Sequence, residues 1–215
     1  MSKNQRNDLL YNKCKAKGFH PKHVSEVGVY LPETSNILGF IEDNIRATLV
    51  EADPVYAKAI EEYFHQASHV TLYPFAMYDH AGTIGLYKRD SSTFVSGLEA
   101  SPAIINDKYQ GKEEDKVYVE AKIFSEIDDQ TIDLLSVDIE GCEWYVIKHM
   151  LSRPAIISVE THGKHYINPY LNEIVGWMKK NQYQVWYKDK SDTVFFKEGT
   201  ITLSGLEKLW RTLVY

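Results

Sequence analysis

Apolar residues recur in short runs along the chain, and the most informative run ends in acidic residues. Residues 132–137 are mostly apolar and lead directly into Asp138, Glu140 and Glu143, which surround Gly141. A short apolar run of this kind predicts a strand buried on both faces, as in the middle of a parallel sheet. Because ligands of open α/β sheets bind at the carboxyl ends of strands, the run predicts a functional site at its acidic end.

Further runs predict the rest of a sheet. The additional strand predictions are residues 24–29, 47–50, 70–75, 83–87, 117–124 and 155–159. Near the end of the chain, residues 183–187 and 193–196 flank a polar segment, which is typical of a β-hairpin. Strands that alternate with helical segments predict an α/β fold with a mainly parallel sheet and helices on both faces.

Helices are predicted from start signals and from apolar spacing. An N-terminal helix is expected over residues 7–17, within an N-terminal segment of residues 1–22. Asp53 before Pro54, Asn168 before Pro169, and Ser204 with Glu207 are typical of helix starts. The buried stripes of three helices should be formed by Tyr56, Ile60, Tyr63 and Phe64, by Trp144, Ile147 and Leu151, and by Leu171, Ile174, Val175 and Met178.

Composition narrows the class of protein. The length of 215 residues suits one domain, residues 1–215, and the net charge of −6 argues against stable binding of nucleic acid through its phosphates. No apolar stretch reaches the roughly 20 residues that span a bilayer, and the first residues lack the apolar core of a signal peptide. We therefore expect a cytoplasmic protein without a membrane span. The two cysteines, Cys14 and Cys142, give neither a disulfide framework nor a metal-binding pair.

The acidic segment also carries a resemblance to a known family. Residues 138–143, with the sequence DIEGCE, resemble the D-x-E-G-x-E signature of FkbM-type methyltransferases. Residues 47–54, 74–77 and 157–162 follow the order and spacing of the same family, so that the resemblance covers roughly residues 24–198. It implies a Rossmann-like sheet with a C-terminal antiparallel hairpin, S-adenosylmethionine as cofactor, and methylation of a hydroxyl oxygen.

The first loop departs from the family pattern. Its usual motif resembles D-x-G-x-x-x-G, whereas here Glu26 replaces the aspartate and Pro32 stands where the second glycine is expected. We expect Glu26 and Gly28 to serve the cofactor, the carboxylate by holding the loop or by accepting from the methionine amino group. The chain has no G-x-G-x-x-G motif, so a dinucleotide oxidoreductase is disfavoured.

The remaining cofactor contacts follow the second and third strands. Glu51 ends the second strand about 20 residues after the first loop, where an acidic residue accepts hydrogen bonds from ribose hydroxyls. Asp53 is expected to be structural. By resemblance, Ala76 leaves room for the adenine, and Asp138 contacts the cofactor or the acceptor.

Methyl transfer requires an aligned acceptor and a group that takes the acceptor's proton. Asp138, Glu160 and His162 follow neighbouring predicted strands and are the catalytic candidates. Histidine exchanges protons most readily near neutral pH, which favours His162 as the general base, although a purely structural histidine fits equally well. The same side chains together with Glu140 could hold magnesium or manganese, but a metal is not favoured.

The acceptor is expected to be a small molecule or a saccharide. Residues 90–116 are polar and have little periodicity, which is typical of a mobile lid or a binding loop. By analogy, Ser92, Thr93 and Phe94 should contact the acceptor, together with Glu140. Because the first loop is irregular, a module that binds S-adenosylmethionine without catalysis is the alternative.

Overall fold

A computed structural model describes residues 8–87, 93–98, 100–109 and 113–214. The strands are β1 His23–Val27, β2 Arg46–Val50, β3 Val70–Tyr73, β4 Ala76–Met77, β5 Gly82–Tyr87, β6 Phe94–Val95, β7 Lys116–Lys122, β8 Leu134–Val137, β9 Ile156–Glu160, β10 Tyr183–Lys188 and β11 Asp192–Lys197. The α-helices are α1 Leu9–Ala16, α2 Leu38–Glu42, α3 Pro54–Tyr63, α4 Pro102–Asp107, α5 Glu143–His149, α6 Leu171–Lys180 and α7 Gly205–Val214. Short 3-10 helices cover Pro32–Thr34, Glu113–Asp115 and Phe124–Glu126.

The main sheet has seven strands in the order β10-β11-β9-β8-β1-β2-β3. The predicted buried strand, β8, lies at its centre and pairs in parallel with β1 and β9. Successive residues of β8 point to opposite faces, so that Leu134 and Leu135 belong to different apolar clusters, both fully buried. The mostly parallel α/β fold is therefore confirmed.

The predicted C-terminal hairpin is also confirmed. β11 pairs antiparallel with β10 on one side and with β9 on the other, so it is inserted into an otherwise parallel sheet. The register places Asp192 of β11 opposite Glu160 of β9. The hairpin therefore reaches the same edge of the sheet as the ends of β8 and β9.

The connections leave a crevice beside β1. β2 follows β1 on one side, whereas β8 lies on the other side, so the strand order reverses between β1 and β8. At such a switch point the connections diverge, and the carboxyl ends of the strands face open space. Gly28 and Asp138, which follow β1 and β8, both line this crevice, and it lies at the edge that the sequence predicts.

A second sheet has four strands in the order β4-β7-β5-β6. The sequence patterns did not predict that these strands form a sheet of their own. Its apolar side chains pack together with Cys142 near the start of α5. The described parts of residues 90–116 contribute β6, α4 and a 3-10 helix, all too short to produce a recognisable periodicity. These elements place buried residues such as Phe94 beside the crevice.

Both terminal helices pack near β10. Ser204 and Glu207 form the predicted capping box: the Ser204 amide donates to Glu207 Oε2 at 2.7 Å, and the Glu207 amide donates to Ser204 Oγ at 3.3 Å. Lys17 beyond α1 donates to Glu207 at 2.5 Å, and Trp186 Nε1 of β10 donates to the same carboxylate at 2.9 Å. Among the described residues, no helix is long and apolar enough to cross a membrane.

Some predicted helix contacts are wrong. Tyr63 and Val175 are 47% and 45% exposed, because α3 and α6 expose a wider face than the apolar spacing suggested. Leu151 is 47% exposed because it lies beyond the end of α5 at His149. Ala57 and Val146 lie in the core instead. Asn168 precedes α6 without capping its first turn, since α6 begins only at Leu171.

Candidate functional site

A cavity of about 350 Å³ opens at the carboxyl ends of β1, β2 and β8. Its wall includes most of the side chains predicted to contact cofactor or acceptor: Glu26, Gly28, Glu51, Ala76, Thr93, Phe94, Asp138 and Glu140. Ser92 lies outside the described residues. Cavities of this size commonly hold small ligands and cofactors.

Gly28 is the point at which the first loop and the central strand approach most closely. Its φ is +85°, and a Cβ atom at this position would lie 1.8 Å from the backbone oxygen of Asp138. Real Cβ atoms do not approach a backbone oxygen so closely, so glycine is required both for the contact and for the conformation. Pro32, in place of the second glycine, begins a 3-10 helix instead of a tight turn.

Glu26 holds this loop from inside the protein. Its carboxylate accepts from the hydroxyl of Ser35 and, at 2.8 Å, from the backbone amide of Asn36. Both partners follow the 3-10 helix that begins at Pro32. Burial raises the pKa of Glu26 to about 8, because removing the charge from water outweighs these hydrogen bonds.

Glu51 ties the second strand to the first loop. Its Oε2 accepts from the amides of Val29 at 3.1 Å and Tyr30 at 2.8 Å, and its Oε1 accepts from the amide of Asp53 at 2.8 Å. Burial raises the pKa of Glu51, and the three amides oppose this shift. A carboxylate has about four acceptor positions, so one remains for a ligand hydroxyl. Asp53 accepts from Val55 at 2.8 Å and caps α3, as its predicted structural role requires.

The signature segment turns sharply after β8. Glu140 and Gly141 have φ values of +58° and +107°, so the chain folds back before α5 begins. Glu143 Oε1 accepts from the amides of Ile139 at 2.9 Å and Gly141 at 3.1 Å, while Oε2 accepts from Asn168 Nδ2 at 2.5 Å. These bonds hold the turn that directs Glu140 to the cavity wall.

Glu160 lies behind this wall. One oxygen each from Asp138, Glu143 and Glu160 lies within 4.8 Å of the other two. Burial raises the pKa of Asp138 well above its usual range, and neighbouring carboxylates, Asp192 first among them, raise it further. The pKa of Glu160 is raised by burial and then by Asp138.

His162 occupies a different position from the one expected of a base facing the cavity. Its Nδ1 lies 2.9 Å from Thr161 Oγ1, its Nε2 lies 3.2 Å from the backbone oxygen of Asp189, and its amide donates to Ser191 at 3.1 Å. Both ring nitrogens therefore contact the polypeptide near the β10-β11 hairpin. Neither His162 nor Glu160 is among the described residues that line the cavity.

Several lining residues were not predicted from the sequence. Tyr30 has a φ of +62° and its ring lies 4.5 Å from that of Tyr56, centroid to centroid, so the two form an aromatic wall next to Glu51. The signal for Tyr30 is its position two residues after Gly28. Cys142 lines the cavity as well, and burial raises the pKa of its thiol, which disfavours a nucleophilic role.

Comparison with known proteins is consistent with this architecture. The structure of a protein described as a caffeoyl-CoA O-methyltransferase from Staphylococcus aureus is similar, with a TM-score of 0.50 at 12% identity over 88% of this chain and 81% of that one. A precorrin-6y C5,15-methyltransferase from Geobacter metallireducens GS-15 aligns over 92% of both chains at 11% identity and a TM-score of 0.46. At such low identity, the first of these likenesses shows the fold alone.

Sequence comparison gives the family. No curated protein matches the chain. The model of the methyltransferase FkbM domain matches residues 23–185, which include β1, the signature segment and β9. With the Rossmann-like fold, this match shows that the chain belongs to the FkbM methyltransferase family and is an S-adenosylmethionine-dependent methyltransferase.

Proposed function

We propose that the protein transfers the methyl group of S-adenosylmethionine to a hydroxyl oxygen of a small molecule or a sugar. The observation that carries the proposal is the acidic lining of the cavity. Among the described lining residues, the side chains of the Asp, Glu, Lys, Arg and His types are all carboxyl groups, namely Glu26, Glu51, Asp138 and Glu140. Such a wall suits the sulfonium and ammonium groups of this cofactor and disfavours ligands rich in phosphate.

The residues at the ends of β1 to β4 fit the cofactor. Gly28 lets the loop backbone approach closely, and Glu26 fixes that loop through Ser35 and Asn36. Glu51 keeps an acceptor position for the ribose hydroxyls. Ala76, between two larger apolar side chains in a buried stretch of the wall, suits the adenine ring.

The chemistry requires little more than alignment and removal of one proton. S-adenosylmethionine supplies a methyl group on a positively charged sulfur, so the donor needs no further activation. In the proposed reaction, Asp138 accepts the hydrogen bond of the acceptor hydroxyl and then its proton. Asp138 is preferred to His162 because its carboxylate lies at the cavity wall, whereas both ring nitrogens of His162 contact the polypeptide near the hairpin.

The acceptor side is assigned to β6 and its flanks. Thr93 and Phe94 line the cavity, and the buried hydroxyl of Thr93 has no hydrogen-bond partner among the described residues. A buried hydroxyl without a protein partner is suited to form a hydrogen bond with a polar group of the substrate that receives the methyl group. Glu140 lines the same cavity, and Ser92 precedes Thr93 in sequence. We assign residues 90–116 as the acceptor loop and lid. Hydrogen exchange should slow in this segment when acceptor binds.

Incubation with radiolabelled S-adenosylmethionine and a panel of sugars, polyketides and phenolic acceptors tests the proposal. Transfer of label to a hydroxyl-bearing acceptor is the expected result. Retention of the cofactor without transfer to any acceptor would favour a binding module instead. Transfer to nitrogen or carbon would contradict the proposed oxygen specificity.

A further inference from the structure

We infer that Asp138, Glu143 and Glu160 form a site for one divalent cation of the magnesium, manganese or calcium class. One oxygen of each carboxylate lies within 4.8 Å of the others. Opposite ligands of such an ion lie twice the metal–oxygen distance apart, roughly 4 Å for magnesium and roughly 5 Å for calcium. The three oxygens are therefore close enough to share one ion.

The fold brings these residues together from three elements. Asp138 follows β8, Glu160 ends β9, and Glu143 is the first residue of α5. Sequence spacing would place Glu143 away from the strand ends, but the turn at Glu140 and Gly141 brings it back. Hydrogen bonds from Gly141 and Asn168 then fix the orientation of its carboxylate, as the surroundings of a metal ligand commonly do.

No basic side chain among the described residues neutralises the negative charge that the three carboxylates would carry when ionised. No described lysine or arginine forms an ion pair with any of the three carboxylates, although Glu143 and Glu160 are only 0% and 7% exposed. Burying several carboxylates close together is costly unless their charges are removed by protonation or balanced by a cation. A cation would satisfy all three at once.

A buried hydroxyl beside the group provides a separate observation. The hydroxyl of Tyr166, which is 1% exposed, has no hydrogen-bond partner among the described residues, and the same holds for Glu160 Oε2 within the group. A Cβ atom built on Gly141, two residues before Glu143, would lie 3.5 Å from the Tyr166 hydroxyl oxygen, so this hydroxyl lies beside the turn that positions Glu143. Leaving such groups without a partner is costly, whereas a hydrated cation offers both a ligand position and water molecules.

The site would lie directly behind the cavity wall. Asp138 belongs to both, so a cation bound by one of its oxygens would be adjacent to an acceptor hydroxyl. The other oxygen remains available for the proton, and the cation would favour the ionised form of the hydroxyl. This role in transfer rests on the proposed function, whereas the binding site itself does not.

Manganese binding tests the site without an acceptor. Free Mn²⁺ has an electron paramagnetic resonance spectrum that broadens on binding, so a titration of metal-free protein should reveal one site per chain. Glu160→Gln should weaken Mn²⁺ binding roughly 10- to 100-fold. Glu173→Gln, the same change at an exposed carboxylate of α6 outside the group, should change it less than about threefold.

Absence of binding at millimolar Mn²⁺, Mg²⁺ and Ca²⁺ would overturn the inference, as would equal affinity in Glu160→Gln and the parent protein. If Glu160→Gln does not fold, Asp138→Asn at the cavity wall tests the same site. Calorimetry with S-adenosylmethionine in the presence of a chelator keeps the two proposals apart. Cofactor binding without metal binding would remove the cation and leave the methyltransferase proposal intact.

Discussion

The two sides of the cavity use their carboxylates differently. On the first-loop side, Glu26 and Glu51 accept hydrogen bonds from the loop, mostly from backbone amides. On the signature side, Glu143 is also held by hydrogen bonds, but Asp138 and Glu160 lie close together, and Glu160 Oε2 has no hydrogen-bond partner among the described residues. The first side is thus already held in one arrangement by the protein.

The difference indicates that the first-loop side binds the cofactor and that the signature side takes part in the reaction. Carboxylates bonded to backbone amides shape a rigid cradle for a ligand that binds in a fixed way, which suits the cofactor. Carboxylates that lack partners retain a strong tendency to gain a proton or a cation, which suits chemistry. Mutations on the first side should therefore affect folding and cofactor affinity, and those on the second side should affect turnover.

Gly28→Ala should have the largest effect, because the new Cβ atom would overlap the backbone oxygen of Asp138 and push the first loop away from the end of β8. We expect a loss of more than about 3 kcal/mol in the free energy of unfolding, measured with urea. Gly176→Ala in the exposed face of α6 is the control, since its Cβ would contact nothing within 4 Å. It should stabilise the protein by about 0.5 to 1 kcal/mol. Equal stability of Gly28→Ala and the parent would refute the close approach.

Asp138→Asn should next reduce turnover, by about 10² to 10⁴, with cofactor affinity changed much less. Single-turnover rates with an acceptor from the panel measure this effect. His162→Ala should keep turnover within about tenfold and lower stability by about 1 kcal/mol, since it removes contacts near the hairpin. A loss of 10² or more in His162→Ala, with Asp138→Asn active, would reverse the assignment of the base.

Glu51→Ala should weaken S-adenosylmethionine binding about ten- to hundredfold, because it removes ribose contacts and the acceptor of three loop amides. Calorimetry measures the change. Asp53→Ala is the matched control: it should cost about 1 kcal/mol of stability through the lost cap of α3 and leave affinity unchanged. A similar loss of affinity in both variants would move the ribose contact to Asp53.

Much of the fold could be read from local signals. The central strand followed from an apolar run, the last hairpin from two apolar runs around a polar turn, and the starts of α3 and α7 from capping residues. Each of these signals depends on neighbours in sequence. The second sheet was not predicted because β4 and β6 have only two residues each, which is too few for an alternating pattern of apolar and polar residues.

The sequence predicts at which edge of the sheet the site lies, but it does not predict the directions in which the side chains point. Strand ends indicate which edge of a sheet a residue reaches, and all five predicted cofactor residues line the cavity. They do not indicate which way a side chain turns after the strand, and His162 turns toward the hairpin region because Thr161 and Asp189 offer it hydrogen bonds. The position of Glu143 depends on a left-handed turn at a non-glycine residue, Glu140, which sequence spacing cannot reveal.

The last test of the first-loop side is the pH dependence of the free energy of unfolding, to which Glu26 should contribute. Burial raises its pKa from 4.5 to about 8, so between these pH values the folded protein holds a proton that the unfolded chain has released. Its stabilising contribution is complete below pH 4.5 and is lost as the pH rises through 8. Between pH 6 and 8, we expect Glu26 to account for a fall of about 2 kcal/mol in the free energy of unfolding, measured with urea. Glu26→Gln should flatten this part of the profile, and an unchanged slope would show that other buried carboxylates, on the signature side, control the pH dependence.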